Sequence, residues 1–262
     1  MEQLLVAQDG AVVTVTLNAP EKGNALNDDV KVALREALAA AGQDDTVRAV
    51  ILTGAGKAFC VGQDLAEHAQ ALADGGPELA LSTVEKRYNP IVMALSTMPK
   101  PVIAAINGTC VGAGLGFALA CDLRIAADTA KFGTAFTGIG LTADSGLSAT
   151  LARAVGMARA SELLLLAPTF DAAQAYEWGL VGRVVPADTL AAEAQKMAAR
   201  LAAGPTAAYA TVKKALQGAW NLDLEAALAA EGEDQMTVGS TADHRGAVEA
   251  FLAKARPTFT GR

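Results

Sequence analysis

Short apolar runs separated by turn residues open the chain. Residues 4–6 and 12–17 are two such runs on either side of Asp9-Gly10, a pair typical of tight turns, and this pattern predicts a β-hairpin. A third run, residues 47–53, is largely apolar and is followed by the glycine-containing residues 54–56. A run of this length bounded by glycine predicts a buried strand.

Much of the remaining apolar pattern has the period of a helix. Val30, Leu34 and Leu38 recur at four-residue intervals after Asn27, a good helix cap, and Gly42 follows as a stop, so we expect a helix over about residues 28–41. Other helices are expected over about residues 83–97, 148–155, 158–166, 172–178 (capped by Asp171), 189–203, 205–219, 223–239 and 241–255, with a short strand at 181–185.

Residues 66–82 fit neither period well. They are rich in alanine, but Gly75-Gly76-Pro77 interrupts them, and we expect a mobile surface region there. Residues 66–98 together are expected to line a ligand pocket. From about residue 200 the pattern is helical throughout, which predicts either a small domain or an arm that packs on a partner subunit.

The centre of the chain combines a strand, a glycine loop and a helix. The β-branched run 102–106 meets the turn pair Asn107-Gly108, the small residues 111–116 follow, and then a helical apolar run, 117–121. Because glycine has no Cβ, another group can approach such a loop closely. The free amides at the start of the helix suit a phosphate or an oxyanion.

A second loop of the same kind follows the strand expected at residues 47–53. Residues 57–65 place Gly62 after another apolar segment, so more unpaired amides are expected there. Two glycine loops favour a functional role over simple helix–strand packing.

Asp144 is the carboxylate that this part of the chain offers for chemistry. Phe136, Ile139, Leu141 and Leu147 surround it in the sequence. A carboxylate in an apolar slot has a raised pKa and can transfer protons near neutral pH. The alternative is structural, since aspartate is also a good N-cap for a helix starting just after it.

Composition narrows the class of protein. With 262 residues, 52% hydrophobic and 19% charged, the chain can bury a large core as one large domain or two, and a net charge of −7 argues against nucleic acid as the main partner. The three cysteines Cys60, Cys110 and Cys121 have neither disulfide-framework nor zinc-site spacing, so no metal is expected. The N-terminal residues lack a secretory pattern and no run is long enough to span a membrane, which predicts a reducing, cytoplasmic location.

The other titratable groups are interpreted as structural. Asp122 is expected to be a structural acid at a helix–strand junction and Asp128 a turn residue. His68 and His244 are expected to be solvated, because no nucleophile or metal-ligand spacing accompanies either.

Several segments, in this order, resemble the crotonase (enoyl-CoA hydratase/isomerase) superfamily over essentially the whole chain. They are residues 24–26, 58–65, 101–116, 121–122, 130–133, 175–181 and 250–254. The resemblance implies an α/β fold, a ClpP-like spiral of β-β-α turns over residues 1–200, and a C-terminal helical region, 201–262, that builds a homotrimer or a dimer of trimers. It implies an acyl-CoA thioester substrate and no cofactor besides the coenzyme A of that substrate.

The resemblance also assigns roles to single residues. The backbone N–H groups of Gln63 and Ala113 match the pair that holds the thioester oxygen, and Asp144 matches an acid/base. The matching substrate and CoA positions are Asn24, Ala25, Leu26, Gly62, Asp64, Leu65, Gly112, Gly114, Phe136, Phe251 and Lys254. In the family, the last two often act from a neighbouring subunit.

The chain departs from the hydratase pattern at two positions. Typical hydratases carry catalytic glutamates where this chain has Gly116 and Phe136. Asp144 instead matches the aspartate of isomerase members, and residues 88–92 and 99–101 look similar to the ring-1,2-epoxyphenylacetyl-CoA isomerase branch. We therefore expect an enzyme that shifts a double bond or isomerises a ring epoxide.

Three alternatives to that isomerase stay open. The first is a hydratase of low activity and the second is an acyl-CoA-binding homologue without catalysis. Dehalogenation ranks low, because Asn89 and Phe136 stand where the similar 4-chlorobenzoyl-CoA dehalogenase has a histidine and a tryptophan.

Overall fold

The protein is described here by a computed structural model of residues 2–262. Its strands are β1 (Leu4–Asp9), β2 (Val12–Leu17), β3 (Ala49–Gly54), β4 (Ala58–Cys60), β5 (Val102–Ile106), β6 (Thr109–Val111), β7 (Leu123–Ala127), β8 (Lys131–Gly133), β9 (Phe170–Asp171) and β10 (Arg183–Val185). Its helices are α1 (Asp28–Gln43), α2 (Leu65–Thr83), α3 (Asn89–Thr97), α4 (Ala113–Ala120), α5 (Leu147–Val155), α6 (Met157–Leu166), α7 (Ala172–Glu177), α8 (Leu190–Ala202), α9 (Thr206–Gly218), α10 (Leu224–Gly239) and α11 (Ala242–Leu252).

The strands form two sheets that the chain visits in turn. The larger sheet has the order β1-β2-β3-β5-β7-β10 and the smaller one β4-β6-β8-β9. Strands β3, β5 and β7 of the larger sheet are each followed by a short strand of the smaller sheet, β4, β6 and β8. A helix follows each of these pairs, which confirms the expected β-β-α spiral.

The central strands of the larger sheet are buried on both faces. Strand β5 is solvent-inaccessible along its whole length because one face packs in the main core and the other meets α8 through Leu190, Ala194 and Ala198. Apart from the antiparallel β1–β2 hairpin, its strand pairs are parallel. The near-continuous apolar runs seen in the sequence are typical of such strands.

The helix N-caps predicted at Asn27 and Asp171 are confirmed. The Asn27 side chain accepts a hydrogen bond from the Val30 N–H, and Asp171 forms a capping box with Gln174. Gly42 does not end α1, which continues through Gln43.

Residues 66–82 are largely at the surface, as expected, but the helix that they form was not predicted. They belong to α2, whose first N–H groups are capped by the Asp64 side chain. The breakers act only locally, since the dihedral angles leave the helical region at Gly75 and Gly76 and the helix resumes with Pro77 in its first turn.

The C-terminal helices are attached to the spiral by polar contacts. Lys213 of α9 is buried, and its Nζ lies 2.8 Å from Asp122 Oδ2 and 2.8 Å from the Leu95 carbonyl oxygen. Asp122 also accepts the Val102 N–H, 2.8 Å away, at the start of β5, as expected of a structural acid.

The last residues are held by two charged side chains. Arg48 donates to the Phe259 carbonyl (2.9 Å) and to Thr206 Oγ1 (3.0 Å), and Asp243 accepts the N–H groups of Thr260 and Gly261. These contacts bring the end of the chain back to the start of β3.

Over residues 2–262, no helix combines the length and the apolar character needed to cross a membrane. Within the same range, no group of three or more His, Cys, Asp or Glu side chains is arranged to hold a metal ion. The three cysteines are buried and form no disulfide.

Candidate active site

The two glycine loops lie side by side because β4 and β6 are parallel neighbours. Cys60 pairs with Cys110, so the residues that follow each strand leave the sheet at the same edge. Gly62 and Gly112 both have positive φ angles, +88° and +57°. A Cβ added to Gly62 would lie 3.8 Å from the Gly112 Cα, so the loops touch backbone to backbone.

Each loop presents one unpaired amide. Leu26 bridges to both sides of Gln63, donating to the Gly62 carbonyl (2.8 Å) and accepting the Asp64 N–H (3.1 Å), so the Gln63 N–H points the other way. Ala113 is the first residue of α4, where an N–H has no partner inside the helix. Within residues 2–262 neither amide donates to the chain.

Close packing fixes the two amides relative to each other. A Cβ on Gly114 would lie 2.7 Å from the Cys60 Cβ, so the start of α4 rests directly on β4. A Cβ on Gly62 would lie 3.4 Å from the Ala113 nitrogen. The arrangement offers a small anionic atom two preorganised donors at the end of a helix dipole.

A cavity of about 580 Å³ opens onto these amides. Its wall is mostly apolar, which suits a hydrocarbon group. It is lined by Lys22, Ala25, Val61, Gly62, Gln63, Asp64, Leu65, Ala66, His68, Leu81, Thr83, Val84, Tyr88, Gly112, Ala113, Thr134, Ala135, Phe136, Ile139, Leu141 and Asp144.

Asp144 lies on this wall beside Phe136, Ile139 and Leu141. Burial raises the pKa of its carboxyl, and a hydrogen bond from Ser145 Oγ, 2.8 Å away, opposes the rise only in part. A carboxylate with a raised pKa is a better proton acceptor near neutral pH than an ordinary aspartate.

The helix-cap interpretation of Asp144 is wrong. Helix α5 is preceded by Gly146 as its N-cap, without any side-chain hydrogen bond. Asp144 contributes only its main-chain carbonyl, which accepts the Leu147 N–H at 2.9 Å. Its carboxylate is therefore free for a ligand apart from the Ser145 bond.

Asp64 is the other carboxylate on the wall, and it is engaged. It accepts the N–H groups of Ala66 (3.0 Å) and Glu67 (3.3 Å) and pairs with Lys22 at 3.4 Å. Although burial favours the protonated form, these donors lower the pKa of its carboxyl. Asp64 thus stays ionised as a helix cap, whereas Asp144 is poised to exchange a proton.

Most of the predicted site residues meet at this cavity. Its wall contains Gln63, Ala113, Asp144, Ala25, Gly62, Asp64, Leu65, Gly112 and Phe136. Leu26 and Gly114 are buried and do not line it. Phe251, which is 81% exposed, and the exposed Lys254 do not line it either.

Asn24 has a structural place rather than one on the cavity wall. It is buried with a φ of +59°, its Oδ1 accepts the Ala19 N–H (2.9 Å), and its Nδ2 donates to the Ala58 carbonyl (2.7 Å). Asn24 therefore holds the loop that positions Ala25, and its amide is not offered to a ligand.

Several polar residues of the cavity wall were not identified as site residues from the sequence. Thr134 and Tyr88 contribute to the cavity, and His68, expected to be solvated, is half-buried on its wall. His68 and Tyr88 do fall within residues 66–98, the segment expected to line the pocket. The alanine and leucine content of that segment was the feature of the sequence that indicated a pocket wall.

Comparison with known proteins agrees with this geometry. Residues 7–262 match the family model described as enoyl-CoA hydratase/isomerase. The chain is 44% identical over 262 residues to 1,2-epoxyphenylacetyl-CoA isomerase of Escherichia coli (strain K12), covering 100% of both chains.

Solved structures show the same fold. A crystal structure described as an enoyl-CoA hydratase/isomerase from Mycobacterium abscessus superimposes with a TM-score of 0.95 at 50% identity, covering 99% of this chain and 100% of that one. Enoyl-CoA hydratase from Bacillus anthracis gives 0.93 at 33% identity over 100% of each chain.

Proposed function

The chain belongs to the enoyl-CoA hydratase/isomerase family, and we propose that it is an acyl-CoA isomerase that uses Asp144 as its single proton-transfer group. One observation carries this proposal. Asp144 shares a largely apolar cavity with the free amides of Gln63 and Ala113, and burial raises its pKa. This is the chemistry needed to remove and return a proton next to a thioester.

The proposed reaction moves a double bond from the 3,4 to the 2,3 position. The thioester oxygen accepts the N–H groups of Gln63 and Ala113, and the Asp144 carboxylate takes a proton from C2. The electron pair of the broken C–H bond delocalises as a dienolate whose charge rests on the bound oxygen. The Asp144 carboxylic acid then returns the proton to C4, and the thioester carbonyl reforms. Each amide donor contributes about 3 kcal/mol to such a transition state.

Hydration fits the site less well, because it needs groups that orient water as well as transfer a proton. At Gly116 a Cβ would lie 2.5 Å from the Ser145 Cβ and 2.9 Å from its carbonyl oxygen. The other position holds Phe136, a buried apolar wall residue. Position 116 therefore has no room for a glutamate without rearrangement, and at position 136 a glutamate would bury a charge in an apolar wall.

Restoring the hydratase residue at position 116 is therefore expected to fail. Gly116→Glu overpacks α4 against Ser145 and buries a charge, and we expect a stability loss of about 3 kcal/mol or more. Thermal unfolding measures the loss, and Ala39→Glu, at an exposed position of α1, is the control. A stable Gly116→Glu protein that hydrates 2-enoyl-CoA would contradict this account.

The test of the proposed function follows the ultraviolet absorbance of the conjugated thioester. We expect absorbance to rise when the purified protein meets a 3-enoyl-CoA and to stay unchanged with a 2-enoyl-CoA over the same time, apart from slow return to the 3-enoyl form. Rapid loss of absorbance from the 2-enoyl substrate, with a 3-hydroxyacyl product, would overturn the isomerase assignment.

A second candidate reaction is isomerisation of a ring epoxide. The likeness to the E. coli 1,2-epoxyphenylacetyl-CoA isomerase over the full length of both chains favours it. Such a substrate also carries C–H bonds between its thioester and its ring, so the same amides and the same carboxylate would act on it. If the protein converts the ring epoxide but does not shift the double bond of a 3-enoyl-CoA, epoxide isomerisation is its principal reaction.

We also propose how the CoA end and the assembly are arranged. Helices α9–α11 expose many apolar side chains, including Leu216, Leu224, Met236 and Phe251. Burying them in a homotrimer or homohexamer would explain this exposure and bring Phe251 and Lys254 to the CoA of a neighbouring copy. Light scattering measures the assembly, and a monomer in the presence of acyl-CoA would contradict it.

A further inference from the structure

The side chain of Gln63 is held by hydrogen bonds to both its oxygen and its nitrogen. Its Oε1 accepts hydrogen bonds from Lys31 Nζ (3.2 Å) and from the Tyr88 hydroxyl. Its Nε2 lies 3.3 Å from the Asp64 carbonyl oxygen and 3.3 Å from Glu67 Oε1. Gln63 thus acts in the proposed reaction through its main-chain N–H, while four partners hold its side chain.

Lys31 anchors this cluster. It is 1% exposed, and its Nζ contacts Gln63 Oε1, Glu67 Oε1 (3.3 Å) and Thr83 Oγ1 (2.9 Å), one partner for each N–H. A buried ammonium is tolerated only when its donors are satisfied, so Lys31 has little freedom to move. Its Nζ also lies 5.5 Å from the centre of the Tyr88 ring.

Tyr88 connects the cluster to the rest of the site. It is 1% exposed, ends the π-helical turn Val84–Tyr88, and its ring packs edge-on against Phe117 of α4 at 5.9 Å. It therefore touches both the Gln63 side chain and the helix whose first residue, Ala113, gives the second amide. Single π-helical turns inside helices are frequent at functional sites.

The Tyr88 hydroxyl keeps its proton. Burial raises the pKa of the phenol well above its usual range, and the negative charge of nearby Asp144 raises it further. Tyr88 thus stays a donor to Gln63 throughout the pH range in which Asp144 titrates.

We infer that Tyr88, supported by Lys31, is a positioning residue that aims the Gln63 N–H at the thioester oxygen. This inference rests on the proposed function and adds a residue to it. Orientation matters because an amide stabilises an enolate only when it points at the oxygen. The Leu26 bridge fixes the peptide units on either side of Gln63, and Tyr88 with Lys31 fixes its side chain.

The test measures polarisation of a bound thioester without turnover. The probe is 4-dimethylaminocinnamoyl-CoA, whose conjugated absorbance moves to longer wavelength when its carbonyl oxygen receives hydrogen bonds, and whose C4 carries no proton to transfer. We expect Tyr88→Phe to bind the probe within about threefold of the unchanged protein but to lose about half or more of the wavelength shift, since one of two donors is misaimed. With a 3-enoyl-CoA, kcat should fall about tenfold at nearly constant KM.

Matched variants separate positioning from structure. Tyr176→Phe removes the same hydroxyl from the exposed face of α7 and should leave the shift unchanged. Lys31→Met keeps the buried stem but removes the donor, and should reduce the shift as Tyr88→Phe does.

Three results would overturn the inference. A full wavelength shift in Tyr88→Phe would show that Gln63 needs no such support. If Tyr88→Phe gives a normal wavelength shift but moves the acidic side of the pH profile of kcat, Tyr88 acts on Asp144 and not on Gln63. If the unchanged protein itself binds the probe without any shift, the proposed thioester site fails, and this inference fails with it.

Discussion

Asp144→Asn lowers kcat by about 10³-fold, while acyl-CoA binding changes by less than about threefold, if Asp144 is the sole group that carries the proton. The substitution keeps the size of the side chain and the acceptor for Ser145 Oγ, so the cavity retains its shape. What it removes is the base. Turnover of a 3-enoyl-CoA measures the first effect and calorimetric titration with a saturated acyl-CoA measures the second.

Asp128→Asn is the matched control, because Asp128 lies in the same central stretch but on the surface, where it accepts the Ala187 N–H. It should keep full activity. Since Asp144 must be ionised to accept the proton and burial raises its pKa, activity of the unchanged protein should fall as pH drops through a value above the ordinary aspartate range. Full activity of Asp144→Asn would refute the mechanism.

Gly62→Ala is expected to lower kcat by about 10²-fold, because it disturbs both amide donors at once. The φ of +88° is strained for any residue with a Cβ, and relief of that strain rotates the peptide unit that carries the Gln63 N–H. The new methyl group would also lie 3.4 Å from the Ala113 nitrogen, where the thioester oxygen should bind.

Gly10→Ala separates strain from chemistry. Gly10 also has a positive φ, +56°, but lies in the hairpin turn with no atom within 4 Å of an added Cβ. Both variants should lose roughly 1 kcal/mol of stability, measured by denaturant unfolding, and only Gly62→Ala should lose activity. Equal kcat values for the two variants would mean that the Gln63 and Ala113 amides do not hold the thioester.

Local signals predicted the elements that local interactions determine. Asn27 and Asp171 were identifiable as caps because the bonds they make reach only three residues along the chain. Helix α2 was not predicted, because Gly75-Gly76-Pro77 contains strong helix breakers. The chain is nevertheless helical on each side of that break. Helix-breaking residues indicate where a helix bends or ends. They do not indicate whether a second helix begins directly after them.

The candidate site also contains residues that the sequence predicts and residues that it does not. The glycine loops and Asp144 were predictable because each lies in a contiguous segment with its own pattern. The cluster around Gln63 was not, since Lys31 and Tyr88 are 32 and 25 residues from it along the chain and meet it only through the packing of α1 against neighbouring helices. The inward orientation of Asn24 also depends on carbonyl groups of a later strand.

The attachment of the chain end to Arg48 has a consequence for biosynthesis. Arg48 and Phe259 are 211 residues apart, so at ribosomal speed about 10 to 40 seconds separate their synthesis. During that interval β3 can already pair with β2 and β5, but the Arg48 guanidinium lacks the Phe259 carbonyl, and the residues after α11 have no such attachment. A chain released before residue 259 should therefore be cut by proteases in its C-terminal region at a higher rate than the chain of 262 residues, in which residues 259–261 are attached.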